Sequence, residues 1–397
     1  MPPVYIFPPK IKPADRITAF TSYFFASLDQ KISDLQENDV DVIRLDKGSP
    51  DMPPADFIIK SLIKAAQNPN KHGYTAYGGT QTFRQAVATY YHNRFGVKLE
   101  PKTEILGLIG AKEGIFNLTQ ALINPGDIVL VPDPGYPVYK NSALIAGGHI
   151  YTIPLIAQNH FLPDLQIIPD EIADSAKLLW LNYPNNPTGA VATLDFLTYV
   201  VEYAHKHNLI IAYDAPYTEV CYDGFRAPSI LQIPRAKDIT IEFNSLSKTY
   251  NMAGWRLAMA VGNPQIIQYL HVFKSQVDSS CFAAILEAGA SALTGNQNWI
   301  ESRNLIYQHR RDIVVKHLKR AGLWVYQPAA TIYIWAHIPN GYSTSVEFCT
   351  NLLNATGVSV VPGTLYGEYG EGFFRISLST STERIEEAMQ RFINWYT

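Results

Sequence analysis

Apolar positions along the chain follow two periods that take turns. From about position 56, short continuous apolar runs ending in polar or proline-rich turns are separated by longer segments whose apolar residues recur at three- and four-residue spacing. "EILGLIGAKEGIFNLTQALI" reads as strand, glycine turn and helix. "DIVLVPDPGYPVY" and "KLLWLNYPNNPTGA" read as buried strands running into proline-rich loops, and "HNLIIAYDAPYTEV" and "DITIEFNSLSK" as strands that stop at polar residues. Runs that are apolar throughout suit strands covered on both faces, so this alternation predicts a mainly parallel sheet between helical layers. Ligands in such sheets sit beyond the carboxyl ends of the strands, where these polar residues fall. Residues 16 to 39 predict a helical arm, and "DVIRLDKGSPDMPP" a short strand entering a glycine and proline turn. After a long amphipathic helix around 298 to 321, "GLWVYQPAATIYIWAHI", "GVSVVPGTLYG" and "GFFRISLS" predict a smaller α/β lobe packed beside the chain's own N-terminal arm.

Composition narrows what the fold can serve. With 397 residues, 47% of them hydrophobic and 17% charged, the chain can fill a large core and two lobes. A net charge of −3 gives no basic field for phosphate backbones, so the expected partners are small molecules and not nucleic acid. No apolar run reaches a membrane span, and prolines interrupt "MPPVYIFPPKIKPADR" where a signal peptide needs continuous apolar sequence, so no membrane partner, no export and a cytoplasmic location are expected. Cys221, Cys281 and Cys349 form no C-x-x-C pair, and His72, His92 and His337 have no carboxylates at ligand spacing, so neither a disulfide framework nor a metal site is expected.

Chemistry concentrates in a few stretches. In "EFNSLSKTYNMAGWRLA", Lys248 lies between hydroxyl residues, with Ser245 and Ser247 before it and Arg256 after it. An ordinary lysine is solvated; one whose surroundings lower its pKa beside a carbonyl becomes a nucleophile. The serines can cap a turn or, with the Arg256 fork, hold a phosphate. Asp214 in "YDAPY" can cap a helix or face a protonated ring nitrogen. Arg375 in "FFRISLS" sits in an apolar strand, where its charge needs either a structural salt bridge or a bound anion.

Taken together, "SLSKTYNMAGWR", "NYPNNPTG", "YDAPY", "GAKEG", "PGYP" and "FFRISLS" resemble, in order and spacing, the fold-type I, pyridoxal-phosphate-dependent class I and II aminotransferases over essentially the full length. Within them the likeness points to the branch containing alanine transaminases and LL-diaminopimelate aminotransferases. The resemblance implies an α/β fold, with a large domain built on a mainly parallel seven-stranded sheet and a smaller α/β domain. It places the N-terminal arm and part of the small domain at 1–47, the large cofactor-binding domain at 48–297 and the C-terminal small domain at 298–397. It implies that Lys248 forms a Schiff base with pyridoxal 5'-phosphate and afterwards moves a proton. Asp214 would keep the pyridine nitrogen protonated, Tyr217 and Asn186 would bond the ring's phenolic oxygen, and Tyr136 would stack on the ring. The amides of Ala111 and Lys112, with Ser245, Ser247 and Arg256, would hold the phosphate at a helix N-terminus. Gly48, Asn186 and Arg375 would hold the substrate α-carboxylate. Tyr74, five positions before Gly79, would reach the phosphate of a second subunit in a homodimer with shared sites.

The expected reaction exchanges an amino group between an L-amino acid and a 2-oxo acid, with glutamate and 2-oxoglutarate as one pair and alanine, aspartate or LL-diaminopimelate open as the other. The alternatives are a pyridoxal-phosphate C–S β-lyase and a pyridoxal-phosphate-sensing regulatory domain, the latter disfavoured because the aminotransferase-like portion begins almost at once and the chain is not basic.

Overall fold

The computed structural model describes residues 11–18 and 24–396. Residues 1–10, 19–23 and 397 lie outside the described residues, and with them most of the stretch read as unsuited to a signal peptide and part of the predicted arm. Residues 1–41 and 42–397 form two compact units. In the first, the described secondary structure is Asp15–Thr18 and the helix Phe24–Glu37. No helix among the described residues is long and apolar enough to cross a membrane.

In the second unit a seven-stranded sheet carries β1 (Ile105–Leu108), β2 (Ile128–Asp133), β3 (His149–Pro154), β4 (Ala176–Asn182), β5 (Ile210–Asp214), β6 (Thr240–Ser245) and β7 (Ala258–Gly262). Their spatial order is β1-β7-β6-β5-β4-β2-β3. The pairs β2–β3, β2–β4, β4–β5 and β5–β6 are parallel, and β7 runs antiparallel to both β1 and β6. The continuous apolar runs follow from this placement. Leu178, Trp180, Ala212, Ile241 and Phe243 form one core with Ile115 and Leu118 of the helix Ala111–Leu122 and with Ile266, Ile267 and Leu270 of the helix Pro264–Lys274. Because β4, β5 and β6 are parallel, Asn182 and Asp214 finish side by side and β6 runs two residues further to Ser245 along the same edge.

A second sheet is antiparallel, with β8 (Val325–Tyr326), β9 (Tyr333–His337), β10 (Val361–Pro362) and β11 (Phe373–Ser377) in the order β10-β11-β9-β8. Ile334, Ala336, Phe374 and Ile376 pack with Phe348, Leu352, Met389 and Phe392 of two C-terminal helices, and Ile43 joins the same core. Ile43–Arg44 pairs in parallel with Val358–Ser359. Across β9 and β11, Tyr333 lies opposite Ser377 and Trp335 opposite Arg375. Residues directly opposite share a face. Tyr333 and Arg375 therefore project from the face that alternates with Ile334 and Phe374, and they meet groups at the carboxyl edge of the large sheet.

Candidate active site

The turn after β6 builds the first part of the site. Ser245 ends the strand, and its hydroxyl accepts the N–H of Ser247 at 3.2 Å, capping the short helix Leu246–Thr249 that carries Lys248. From beneath, the buried Arg303 donates to the carbonyls of Lys248 (2.9 Å), Thr249 (2.5 Å) and Glu219 (2.7 Å), which fixes the turn from the helix Asn298–Arg320. Lys248 Nζ donates to the Gly48 carbonyl. Burial, with the positive charges of Arg375 and Arg256 nearby, pushes its pKa below the ordinary lysine value, although Tyr333 works the other way. A larger share of neutral amine is what a nucleophilic lysine needs.

Asp214 ends β5. Its Oδ2 accepts from the Tyr139 hydroxyl at 2.6 Å, and its backbone carbonyl accepts from Asn182 Nδ2 at 2.7 Å. Oδ1 is buried without a hydrogen-bond partner among the described residues. Burial pushes this carboxyl up to about 7, and the Tyr139 bond offsets only part of the effect. Tyr139 is itself stacked on Trp180 (centroids 4.9 Å, 16°) and meets the edge of Tyr136 at 5.9 Å. The orphaned oxygen fits the protonated nitrogen of a pyridine ring, which would return the carboxyl to its charged form.

The raised value has a consequence for cofactor-free protein. An unfolded chain's aspartate titrates near the usual ~3.9, so between about pH 4 and pH 7 the native state keeps a proton that the unfolded state has lost, and stability falls as pH rises through that window. Asp214→Asn is expected to remove roughly 2 to 4 kcal/mol of this pH-dependent loss. Glu242, likewise buried and pushed to about 7, supplies a slope that remains. Urea unfolding of the cofactor-free protein at pH 5 and pH 7 measures it, and an unchanged slope in Asp214→Asn would show that the carboxyl is ionised when buried.

Gly110 precedes the helix Ala111–Leu122 with φ of 103°, and no side chain caps that helix. A Cβ on Gly110 would collide with the Arg256 guanidinium, so the glycine lets that fork come up against the helix N-terminus. An uncapped twelve-residue helix end beside an arginine fits a phosphate. Lys112 Nζ stands 6.0 Å from the Tyr136 ring centroid.

Arg375 is 3% exposed. It donates to Asn186 Oδ1 (2.9 Å) and the Asp46 carbonyl (2.8 Å), with its Cζ 4.1 Å from the Tyr333 ring centroid and 5.1 Å from that of Tyr366. The neighbouring Asp46 carboxylate is taken by Arg44 at 2.7 Å. Among the described residues Arg375 forms no ion pair, and its buried Nε has no acceptor. The salt-bridge alternative is therefore not what the fold supplies, and an anion-shaped need remains. The Tyr217 hydroxyl meets that of Tyr333 at 2.9 Å.

The structure thus brings Gly48, Asn186, Asp214, Tyr217, Lys248 and Arg375 together, with Tyr136, Ala111, Lys112, Ser245, Ser247 and Arg256 around them. Tyr74 stands apart, 96% exposed on the loop before the helix Gln81–Phe95. Tyr139, Asn182, Arg303 and Tyr333 were not singled out from sequence. The signal for Tyr139 was its three-residue spacing from Tyr136 at a helix start; for Tyr333 it was alternation in "IYIWA", which needs the strand pairing before it says which way the phenol points. Among the described residues, no group of three or more His, Cys, Asp or Glu could hold a metal.

Residues 40–392 match the family described as aminotransferase class I and II. The LL-diaminopimelate aminotransferase of Moorella thermoacetica is 49% identical over 378 residues, 95% of this chain and 97% of that protein. The enzyme of the same name from Aquifex aeolicus is 48% identical over 381 residues, covering 96% and 98%. Among solved structures, substrate-bound BacF from Bacillus subtilis superposes with a TM-score of 0.93 at 36% identity, covering 98% of each chain.

Proposed function

The chain belongs to aminotransferase class I and II and is a pyridoxal-phosphate-dependent transaminase, and from that premise we propose that its amino acid substrate is LL-diaminopimelate, with glutamate and 2-oxoglutarate as the exchange pair. The observation that carries the substrate reading is near-half identity, over almost the whole length, to enzymes of that name.

In this reading Lys248 would be the residue that holds the cofactor's carbonyl carbon, and its amine would move the proton at the substrate's Cα. Asp214 keeps the ring nitrogen protonated; Tyr217 and Asn186 bond the ring oxygen; Tyr136 lies against the ring. The amides of Ala111 and Lys112, with Ser245, Ser247 and Arg256, hold the phosphate. Gly48, Asn186 and Arg375 orient the α-carboxylate. The cofactor, when bound, supplies an electron sink for the bond broken at Cα. The large domain at 48–297 carries most of these groups, and the small domain, 298–397 with part of 1–47, supplies Arg375.

A homodimer completes this site. Tyr74, Tyr77, Tyr269, Val272, Val277 and Phe282 are large apolar side chains left exposed, and the segments carrying Tyr74 and Phe282 are tied by the His72–Phe282 ring contact at 5.4 Å and the Thr75 bond to the Cys281 carbonyl at 3.0 Å. A second copy covering them would place Tyr74 at the other subunit's phosphate. Sedimentation showing the active species to be a monomer would exclude this. A cytoplasmic location accords with three free cysteines.

A panel of amino donors against 2-oxoglutarate tests the substrate. LL-diaminopimelate is expected to exceed alanine and aspartate in kcat/KM by about a hundredfold or more, about 2.7 kcal/mol of transition-state discrimination. Comparable values for alanine or aspartate would overturn the assignment. The donor alone should convert the visible absorbance once per site; steady release of thiol, pyruvate and ammonia from an amino acid with sulfur on Cβ, with no acceptor present, would favour the β-lyase.

A further inference from the structure

We propose that Asp133 is a positioning residue that sets the distance between the ring site at Tyr136 and the carboxylate site at Arg375. This deepens the reading above and rests on it, in that Arg375 is taken to hold the substrate α-carboxylate.

Asp133 ends β2, three positions before Tyr136. Its buried carboxylate is given over to one segment that leaves the small sheet: Oδ2 accepts the Glu368 N–H and Oδ1 the Tyr369 N–H, each at 3.0 Å. From the same loop the Gly135 N–H donates to the Tyr366 carbonyl at 2.7 Å. Three hydrogen bonds thus clasp the end of β2 to the turn around Gly367. A Cβ on Gly367 would collide with the Asp133 carboxylate, and its φ of 136° is one that side chains resist, so the clasp needs glycine there. Burial raises the Asp133 carboxyl's pKa, and the two amide bonds offset part of that. With both oxygens engaged by main-chain donors, the group holds backbone and not ligand.

The clasped segment leads directly to Arg375. Val361 of β10 lies opposite Arg375 of β11, and the chain turns at Gly363. Gly363 and Gly370 then close against each other so tightly that a Cβ on either would strike the other's carbonyl. Tyr366 lies inside that closed turn, its ring centroid 5.1 Å from Arg375 Cζ. A shift of the backbone at 366–369 is therefore passed to the guanidinium. A substrate bonded at the ring and at its α-carboxylate spans both sites, and a misplacement of one ångström costs on the order of a hundredfold.

The test measures equilibrium binding to the full-length, cofactor-free protein. Two synthetic ligands, N-(5'-phosphopyridoxyl)-L-glutamate and N-(5'-phosphopyridoxyl)-4-aminobutyrate, differ only in the α-carboxylate, and pyridoxamine 5'-phosphate probes the ring site alone. Asp133→Ala should cut the advantage of the glutamate ligand over the aminobutyrate ligand by about tenfold, with pyridoxamine 5'-phosphate affinity within about threefold of wild type. Asp133→Asn, which keeps the size but offers one acceptor oxygen in place of two, and Gly367→Ala, which crowds the carboxylate from the other side, should each cut it by about threefold or more, so the test does not hang on one variant folding. In an Arg375→Lys background Asp133→Ala should remove nothing further, because it acts through Arg375. A wild-type advantage in Asp133→Ala and Gly367→Ala, equal weakening of all three ligands, or the same tenfold loss in the Arg375→Lys background would overturn the proposal while leaving the role of Arg375 standing. If Arg375→Lys itself keeps the wild-type advantage, the carboxylate reading falls, and the proposal with it.

Discussion

Lys248→Ala is expected to lose amino transfer by about 10⁴-fold or more in kcat, the largest effect of any single change in this chain, because one side chain is asked both to hold the cofactor and to move a proton. The geometry explains why no neighbour can stand in. Lys112 is the other lysine at the site, and its amine stands over the Tyr136 ring. The Lys248 amine is instead placed against the Gly48 carbonyl, on the side where Tyr333 and Arg375 converge. Arg303 pins the turn through the Lys248 and Thr249 carbonyls, which the substitution leaves intact, so the fold should survive. Asp214, Arg256 and the amides at the helix start remain, so the variant should still take up cofactor without bonding to it. Borohydride followed by peptide mapping checks the assignment: wild type should be labelled at Lys248 alone and Lys248→Ala not at all. Labelling at a different lysine, or turnover within tenfold of wild type, would remove Lys248 from its role.

That assignment was legible in sequence because the groups concerned are packed into short contiguous motifs. Asp214 and Tyr217 are three residues apart; Lys248 and Arg256 lie in one turn and its continuation. Residues in such motifs report on one another without any knowledge of topology. The strands that escaped notice lacked a pattern that separates them from their flanks. β7, "AMAVG", is buried throughout yet built mainly from small residues of low strand preference, and it runs antiparallel where the rest of the core is parallel. β3, "HIYTIP", is an edge strand whose side chains are mostly half-exposed or exposed, so its apolar signal is diluted. Groups that act across the fold were equally hidden. Tyr333 is 116 residues from Tyr217, and Arg303 is 55 from Lys248. Their meeting depends on sheet register and on a helix that packs on the small-sheet core while Arg303 reaches the turn after β6, neither of which local periodicity encodes.

Arg375 shows how a residue legible in sequence acquires its reason from structure, and its replacement is the second large effect. Arg375→Lys keeps the charge, yet it is expected to lower kcat/KM for α-amino acids by roughly a hundredfold or more, about 2.7 kcal/mol. The guanidinium performs three tasks at once. It donates to Asn186 Oδ1 and to the Asp46 carbonyl, its Cζ lies over the Tyr333 ring at 4.1 Å, and it keeps Nε free of any acceptor among the described residues. A lysine ammonium is a point donor on a shorter reach, so it could satisfy one of these partners only by turning from the others. Planar, two-pronged contact with a carboxylate is lost in every such arrangement. The loss should be confined to substrates that carry the carboxylate. Cofactor affinity should stay within about threefold of wild type, since no phosphate or ring contact is assigned to Arg375. The preference for an amino acid over its decarboxylated amine should collapse by about the same hundredfold, which separates a damaged carboxylate site from a generally disturbed fold. Arg375→Lys retaining wild-type preference for the carboxylate would place the anion elsewhere and leave Arg375 as a buried cation stabilised by Asn186, the Asp46 carbonyl, Tyr333 and Tyr366.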